Sequence, residues 1–345
     1  MADNYLEKKM EALQARKAKE QRAKEQRAKQ TAWKKRIDAY RKRLAEEAAM
    51  KGPSVSFYKV AGHAFEVSVP GTAPKDILKP YDGFACPSVE EPAFSLRLEY
   101  VETLKELPVG EVKQCLNEEP PYFWMFAREE RYDFGFSYTK SHPDCILMSS
   151  EDYKEAVVYV QSSRSERLSN FALDNALMLM YAARTIGDRT LLIHASVIRN
   201  EDEGFVFLGK SGTGKSTHSR LWLENVEGSR LLNDDNPVIR NIDGEVRVYG
   251  SPWSGKTPCY LNENVPLKGI VRLSQAPFNK ISRQTLLAAY ASLSPACSCM
   301  RWDRNATDAL HKSVESVIMN VPGWHLECLP DADAAYVCSN ALRSE

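Results

Sequence analysis

No run of this chain is apolar enough to span a bilayer, and the most apolar helical stretch, Phe171 to Ala183, is short and interrupted by Asp174 and Asn175. The first residues are polar and charged, without the apolar block of a secretory leader. Net charge is missing as well. With 46 Lys+Arg against 46 Asp+Glu the formal balance is +0, so the molecule as a whole has no electrostatic pull toward nucleic acid. Cysteine is present without organisation. Of the 8 cysteines only Cys297 and Cys299 are close neighbours, and neither a second pair nor a His-x-x-x-His accompanies them, which argues against zinc. The expectation is a soluble, cytoplasmic protein with reduced, mostly buried thiols.

A length of 345 residues leaves room for about two domains. The even charge balance hides a gradient: residues 1–52 hold 16 basic and 8 acidic side chains, leaving 30 and 38 for the rest. This segment is rich in helix formers and contains Ala-Lys-Glu-Gln-Arg twice in tandem from Ala18 to Arg27. A five-residue period keeps no apolar side, so the segment reads as a basic helical arm. Two uses stay open for it, a solvated helix or a contact for an acidic partner. Lys51-Gly52-Pro53 ends it.

Residues 53–164 read as a β-rich domain. Strands are expected at Ser54–Val60, Ala64–Val69, Ala93–Val101, Phe123–Ala127, Asp133–Tyr138 and Ala156–Gln161, arranged as a small antiparallel unit. The aromatics Tyr122, Phe123, Trp124 and Phe126 are better explained by core packing than by a ligand. From residue 165 to 345 helices and strands alternate. A helix is expected over 165–187, with Leu173, Leu177, Met180 and Tyr181 at helical spacing. The apolar run Thr190–Ile198 reads as one strand, and only Arg199–Gly204 joins it to the next strand, Phe205–Leu208. That link is too short for a parallel crossover, so neighbouring strands here must form a hairpin.

The stretch Gly209-Lys210-Ser211-Gly212-Thr213-Gly214-Lys215-Ser216-Thr217 follows that strand and opens a helix. It fits the phosphate-binding pattern G-x-x-x-x-G-K-[ST] in the setting that gives the pattern meaning. Its glycines allow backbone N–H groups to turn toward phosphate oxygens, and the helix adds its positive end. Lys215 is placed for the β- and γ-phosphates of ATP and Ser216 for Mg2+. Gly209, Ser211, Gly212, Thr213, Gly214, Lys215, Ser216 and Thr217 are therefore the candidate nucleotide-binding residues. Downstream, Asn233-Asp234-Asp235-Asn236 ends a short strand, where a metal ligand and a base are expected. A turn-prone loop is the plainer alternative for these four residues. The loop Gly250–Thr257 looks shaped, and Lys256 and Arg272 are candidates for steadying a transferred phosphoryl group.

Taken together, Ile193-His194-Ala195, the hairpin, the glycine loop and Asp234-Asp235 resemble the HPr kinase-like family over about residues 165–340. The resemblance implies an α/β (α+β) fold, a PEP carboxykinase-like P-loop kinase domain with an N-terminal β-rich domain and a basic N-terminal helix. It also implies an ATP-dependent phosphotransferase acting on a hydroxyl. Asp234 would take the acceptor's proton. Asp235, with Ser216, would hold Mg2+, and His194 would orient phosphate or tune the aspartate. Thr217 stands where the family often has an acidic residue, and Gly250–Lys256 lacks the glutamate-bearing signature of true HPr kinases. A non-catalytic ATP-binding module and a carboxykinase-like enzyme on a small acid are the alternatives. The acceptor (a protein, a peptide or free serine), the base specificity and the oligomeric state stay open.

Overall fold

The computed structural model describes Lys24 and residues 52–116, 119–128, 131–162, 165–255 and 257–343. The basic arm, apart from Lys24, and Lys256 lie outside the described residues. The described residues of 54–69 and 73–343 make up one compact unit. Among the described residues no helix is long and apolar enough to cross a membrane.

This unit is a mixed α/β structure built on two sheets. The first contains β1 (Ser54–Val60), β2 (His63–Val69), β3 (Ala85–Cys86), β4 (Ser95–Val101), β5 (Glu111–Cys115), β6 (Tyr122–Arg128), β7 (Arg131–Ser137), β8 (Cys145–Ser149) and β9 (Glu155–Gln161). Their order is β3-β1-β2-β4-β9-β8-β7-β6-β5. Ala61 and Gly62, both at positive φ, make the two-residue turn of the β1–β2 hairpin. The sheet is not purely antiparallel as expected: β4 runs parallel to both β2 and β9. The cause is connectivity. Long connections lead from β2 to β4 and from β4 to β9, so β4 enters the middle of the sheet instead of closing a tight hairpin. The β5 strand is a charged edge with little apolar alternation, which hid it in the sequence.

The helix α1 (Glu166–Thr185) leads out of this sheet. Leu173, Leu177, Met180 and Tyr181 are fully buried, and they share a core with Phe65, Phe94, Leu96 and Val158 of the first sheet. The same core takes in Leu192, Val238, Trp253 and Met300 from the second half of the chain.

The second sheet contains β10 (Thr190–Leu192), β11 (Ser196–Asn200), β12 (Glu203–Leu208), β13 (Ser229–Asn233), β14 (Val238–Ile242), β15 (Glu245–Tyr249), β16 (Asn264–Gln275), β17 (Lys280–Arg283) and β18 (Gly323–Cys328). The main path is β10-β14-β15-β16-β12-β11-β13, with β18 beside β16 and β17 beside β18. The helices are α2 (Lys215–Asn225), α3 (Leu286–Leu293), α4 (Arg304–Ile318) and α5 (Ala332–Arg343). Burial of β12 on both faces follows its alternation. Val206 and Leu208 join the core with Leu293 and Leu310, whereas Phe205 and Phe207 join the one with Trp222 and Cys338.

The apolar run Thr190–Ile198 is not one strand. It breaks at Ile193-His194-Ala195, because the backbone there bonds outside both ladders. Ile193 N–H donates to the Pro237 carbonyl at 3.1 Å, His194 N–H to Ala296 at 2.8 Å and Ala195 N–H to Asp235 at 3.0 Å. On one side of the break β10 pairs with β14, and on the other β11 pairs with β12 and β13. The β11–β12 pair is the hairpin that the short link requires.

Candidate functional site

The glycine loop leaves the buried end of β12 and turns into α2. Gly212 and Gly214 have φ of +77° and +110°, conformations that side chains with a Cβ rarely adopt. A Cβ added at either would meet nothing within 4 Å, so the loop curves around open space. Within it Thr213 N–H donates to Lys210 O at 3.1 Å, and the first helical bond runs from His218 N–H to Gly214 O at 2.8 Å. Gly214 is the N-cap of α2 and supplies no side-chain capping bond. The amides of the first turn are thus left for an outside acceptor.

Lys215, the first residue of α2, is buried, and its ammonium donates to Gly209 O at 3.0 Å. Burial lowers its pKa, and the negative charges of Asp235 and Asp234 act against that shift. The phosphate-loop cation and both carboxylates therefore belong to one electrostatic cluster.

Asp234 and Asp235 follow directly on β13, yet their environments differ. Asp234 is 9% exposed and accepts a hydrogen bond from the Ser196 hydroxyl at 3.2 Å. Ser196 on β11 lies 2.6 Å from Ser219 Oγ on α2. That network ties the inner carboxylate to the helix that carries the glycine loop. Asp235 is the outer one. Its side chain is 32% exposed and stands 3.0 Å from His194 Nδ1, itself 50% exposed. The strand break puts His194 there, since the Ala195 N–H to Asp235 O bond fixes the two backbones side by side.

The loop after β15 clasps this turn. Asn233 Nδ2 donates to Ser251 Oγ at 3.1 Å, and Asn233 Oδ1 accepts from Asp235 N–H at 2.9 Å. Ser251 Oγ donates to Asn236 O at 2.6 Å, and Asn236 N–H donates to Trp253 O at 3.2 Å. A Cβ on Gly255 would lie 3.2 Å from Asp235 Cβ, so the loop presses close against the outer carboxylate. The Trp253 indole then donates to Tyr81 OH at 2.9 Å, which donates to Asp174 at 2.7 Å. Burial pushes Asp174 up to about 6 although the Tyr81 bond opposes it.

Every expected site residue that is described falls in this region. Ser216 is exposed on the first turn of α2 beside the half-buried Thr217, and Ser211 is exposed in the loop. Arg272 is exposed on β16 at the register of Leu208, the last residue before the loop. Ser196, Ser219, Asn233, Ser251 and Asn236 went unmarked in the sequence as functional. The two asparagines flank the aspartate pair and are visible on that ground alone. The serines become relevant only through long-range pairing. Among the described residues no group of three or more His, Cys, Asp and Glu side chains could hold a metal on its own. Mg2+ does not require one, since it binds through one or two carboxylates with substrate phosphates and water. The exposed Ser216 hydroxyl and the carboxylates clustered with Lys215 fit that donor set.

No family model and no curated protein matches the chain. Among solved structures, the HPr(Ser) kinase/phosphatase from Coxiella burnetii aligns at 11% identity with a TM-score of 0.28, covering 44% of this chain and 88% of that one. A likeness this distant carries no information on chemistry.

Proposed function

We propose that this chain is an ATP-dependent phosphotransferase that moves the γ-phosphoryl group to a hydroxyl. The observation that supports it is the cluster itself: an open glycine loop with uncapped amides, and a buried Lys215 that feels the charges of Asp235 and Asp234. A turn-prone surface loop accounts for Asn233–Asn236 less well, because Asn233 and Asp234 are buried and hydrogen-bonded to distant elements.

The loop amides and Lys215 hold the phosphates, with Lys215 exchanging the Gly209 carbonyl for phosphate oxygen. Mg2+, when bound, neutralises charge on the β- and γ-oxygens. Ser216 and a carboxylate of the pair would hold it. The family resemblance implies that Asp234 is the base and Asp235 the metal ligand. Exposure and partners favour the opposite division. Asp235 can meet an incoming hydroxyl and has His194 to orient it, whereas Asp234 is turned inward toward α2. Asp235 thus receives the acceptor's proton, and Asp234 serves the metal side.

Lys215→Ala tests the nucleotide half. Mg-ATP affinity measured by calorimetry should fall at least about tenfold, or about 1.4 kcal/mol. Unchanged affinity rules the phosphate loop out. Transfer of label from γ-labelled ATP to an acceptor separates a kinase from a module that only binds nucleotide.

A further inference from the structure

A cavity of about 320 Å3 is lined in part by Asn236, the residue that follows the carboxylate pair. One wall is a single face of α1, where Asn175, Met178, Leu179 and Ala182 recur at i, i+3, i+4 and i+7. Met178 and Leu179 are only half-buried, while Leu173, Leu177 and Met180 of the same helix are fully committed to the core. Met300 and Trp302 line it as well. Toward the site the cavity ends on Asn236.

Asn236 follows Asp235 directly, so their Cα atoms are about 3.8 Å apart. Trp253 and Ser251 hold its backbone from both sides. Cavity wall and outer carboxylate are therefore parts of one fixed turn. His194 follows Ile193, whose bridge partner Cys297 lines the cavity. The His194 N–H donates to Ala296 O, and Ser298 N–H donates to Leu192 O, each at 2.8 Å, so residues 296–298 run alongside the strand break.

None of the described residues lining this cavity is charged. The neighbouring cluster of Lys215, Asp234, Asp235 and His194 is ionic. A carboxylate or ammonium entering the cavity would lose hydration without finding a counter-charge. An aliphatic or aromatic group meets Met178, Leu179, Met300 and Trp302. Asn236 and Ser298 add amide and hydroxyl groups, which suit the donor and acceptor of a peptide unit, whereas the Asn175 amide already donates to Phe171 O.

We infer that this cavity is the acceptor subsite, and that the acceptor is a peptide segment whose hydroxyl residue neighbours an aromatic or aliphatic side chain. The inference rests on the phosphotransferase reading of the adjacent carboxylates. The hydroxyl lies at Asp235, and the neighbouring side chain fills the space between α1 and Trp302. A new bond forms between the hydroxyl oxygen and the γ-phosphorus as the bond to the β–γ bridging oxygen breaks. ADP leaves, and the hydroxyl proton passes to Asp235. Free serine and small acids are poor acceptors, because their charges find no partner in the cavity.

The test uses the full chain with γ-labelled ATP and four probes: acetyl-seryl-phenylalaninamide, its glutamate counterpart, free serine and benzyl alcohol. Label transfer is measured together with binding in the presence of a non-hydrolysable ATP analogue. The neutral aromatic peptide should bind at least about tenfold better than the glutamate peptide, the scale of one apolar subsite contact. Leu179→Glu should abolish that preference and leave affinity for the ATP analogue unchanged. Leu179→Gln, which adds no charge, covers the case in which the glutamate variant does not fold. Binding of the aromatic peptide that both variants weaken supports the inference even where label transfer is slow. Preference for the glutamate peptide, free serine or benzyl alcohol overturns it. So does a wild-type chain that binds the ATP analogue but none of the probes at millimolar concentration, an outcome that leaves the kinase reading standing. A wild-type chain that binds no ATP overturns the kinase reading itself.

Discussion

At the scale of single residues, the two aspartates differ more in surroundings than their adjacency suggests. If Asp235 is the base, Asp235→Asn keeps shape and hydrogen bonding but cannot accept a proton. Turnover should then fall roughly 10²–10⁴-fold, the usual share of general-base catalysis, with nucleotide affinity retained. Asp234→Asn should instead raise the Mg2+ concentration needed for half-maximal rate, because a poorer ligand replaces a carboxylate. Steady-state kinetics with a magnesium titration separates the two. A dead Asp235→Asn with a raised magnesium requirement in Asp234→Asn supports the division proposed above, and a dead Asp234→Asn beside an active Asp235→Asn restores the one that the family resemblance implies. Lys215, Ser216 and the aspartates are legible in the chain because their chemistry depends on local spacing. Ser196 and Ser219 are not, since nothing local marks them. They meet only because β11, the neighbour of β12, brings Ser196 against α2.

At the scale of elements, chain connectivity explains both what could be read and what could not. The β11–β12 hairpin is legible because its link is too short for any other pairing. The break at Ile193–Ala195 is not, because apolarity runs straight through it. Backbone partners end the strand there, and they lie on segments around residues 235–237 and 296. The parallel placement of β4 is hidden for a related reason: alternation marks a strand but not its neighbours. The loop after β15 announces itself through glycine and tryptophan, and its first residue shows why. A Cβ on Gly250 would lie 2.1 Å from Leu261 O and 3.2 Å from Leu232 O. Gly250→Ala must push backbone apart under the aspartate turn. It should cost about 1–3 kcal/mol in urea unfolding, in the range of overpacked interiors. Turnover should also fall, because Ser251 and Trp253 hold Asn236. A variant as stable as wild type would show that the loop yields freely.

At the scale of the whole molecule, two buried imidazoles and the partly buried Asp174 respond to mild acid among the described residues. His63 is held down to about 4 by burial first and by Arg240 second, which outweigh the exposed Asp188 nearby. His218 is held down to about 4 by burial, with Nε2 accepting from the Trp222 indole. Between its ordinary 6.5 and about 4, each imidazole takes a proton in the unfolded chain that the native chain refuses. Stability is therefore lost as pH falls through that window. Asp174 works the other way. Its folded pKa of about 6 lies above the ordinary 3.8, so the native chain takes its proton first and gains stability on acidification. Two imidazoles against one carboxyl leave about one net proton. Stability should thus drop on the order of 1 kcal/mol per pH unit near pH 5. His218→Gln should bring that slope close to zero. Urea unfolding across this range checks both, and a wild-type slope of opposite sign would contradict the burial of the two imidazoles.

The shared core of the first sheet and α1 also has a temporal side. That sheet is complete in sequence at Gln161, yet its core is closed by Val238, Trp253 and Met300. During synthesis at about 5–20 residues per second, roughly 7 to 28 seconds separate the appearance of β9 from that of Met300. For that interval the nascent chain presents an unfinished apolar surface. A ribosome that stops between α1 and Met300 leaves a fragment that aggregates or is held by chaperones, and an early stop is then as damaging to the first sheet as to the glycine loop that follows it.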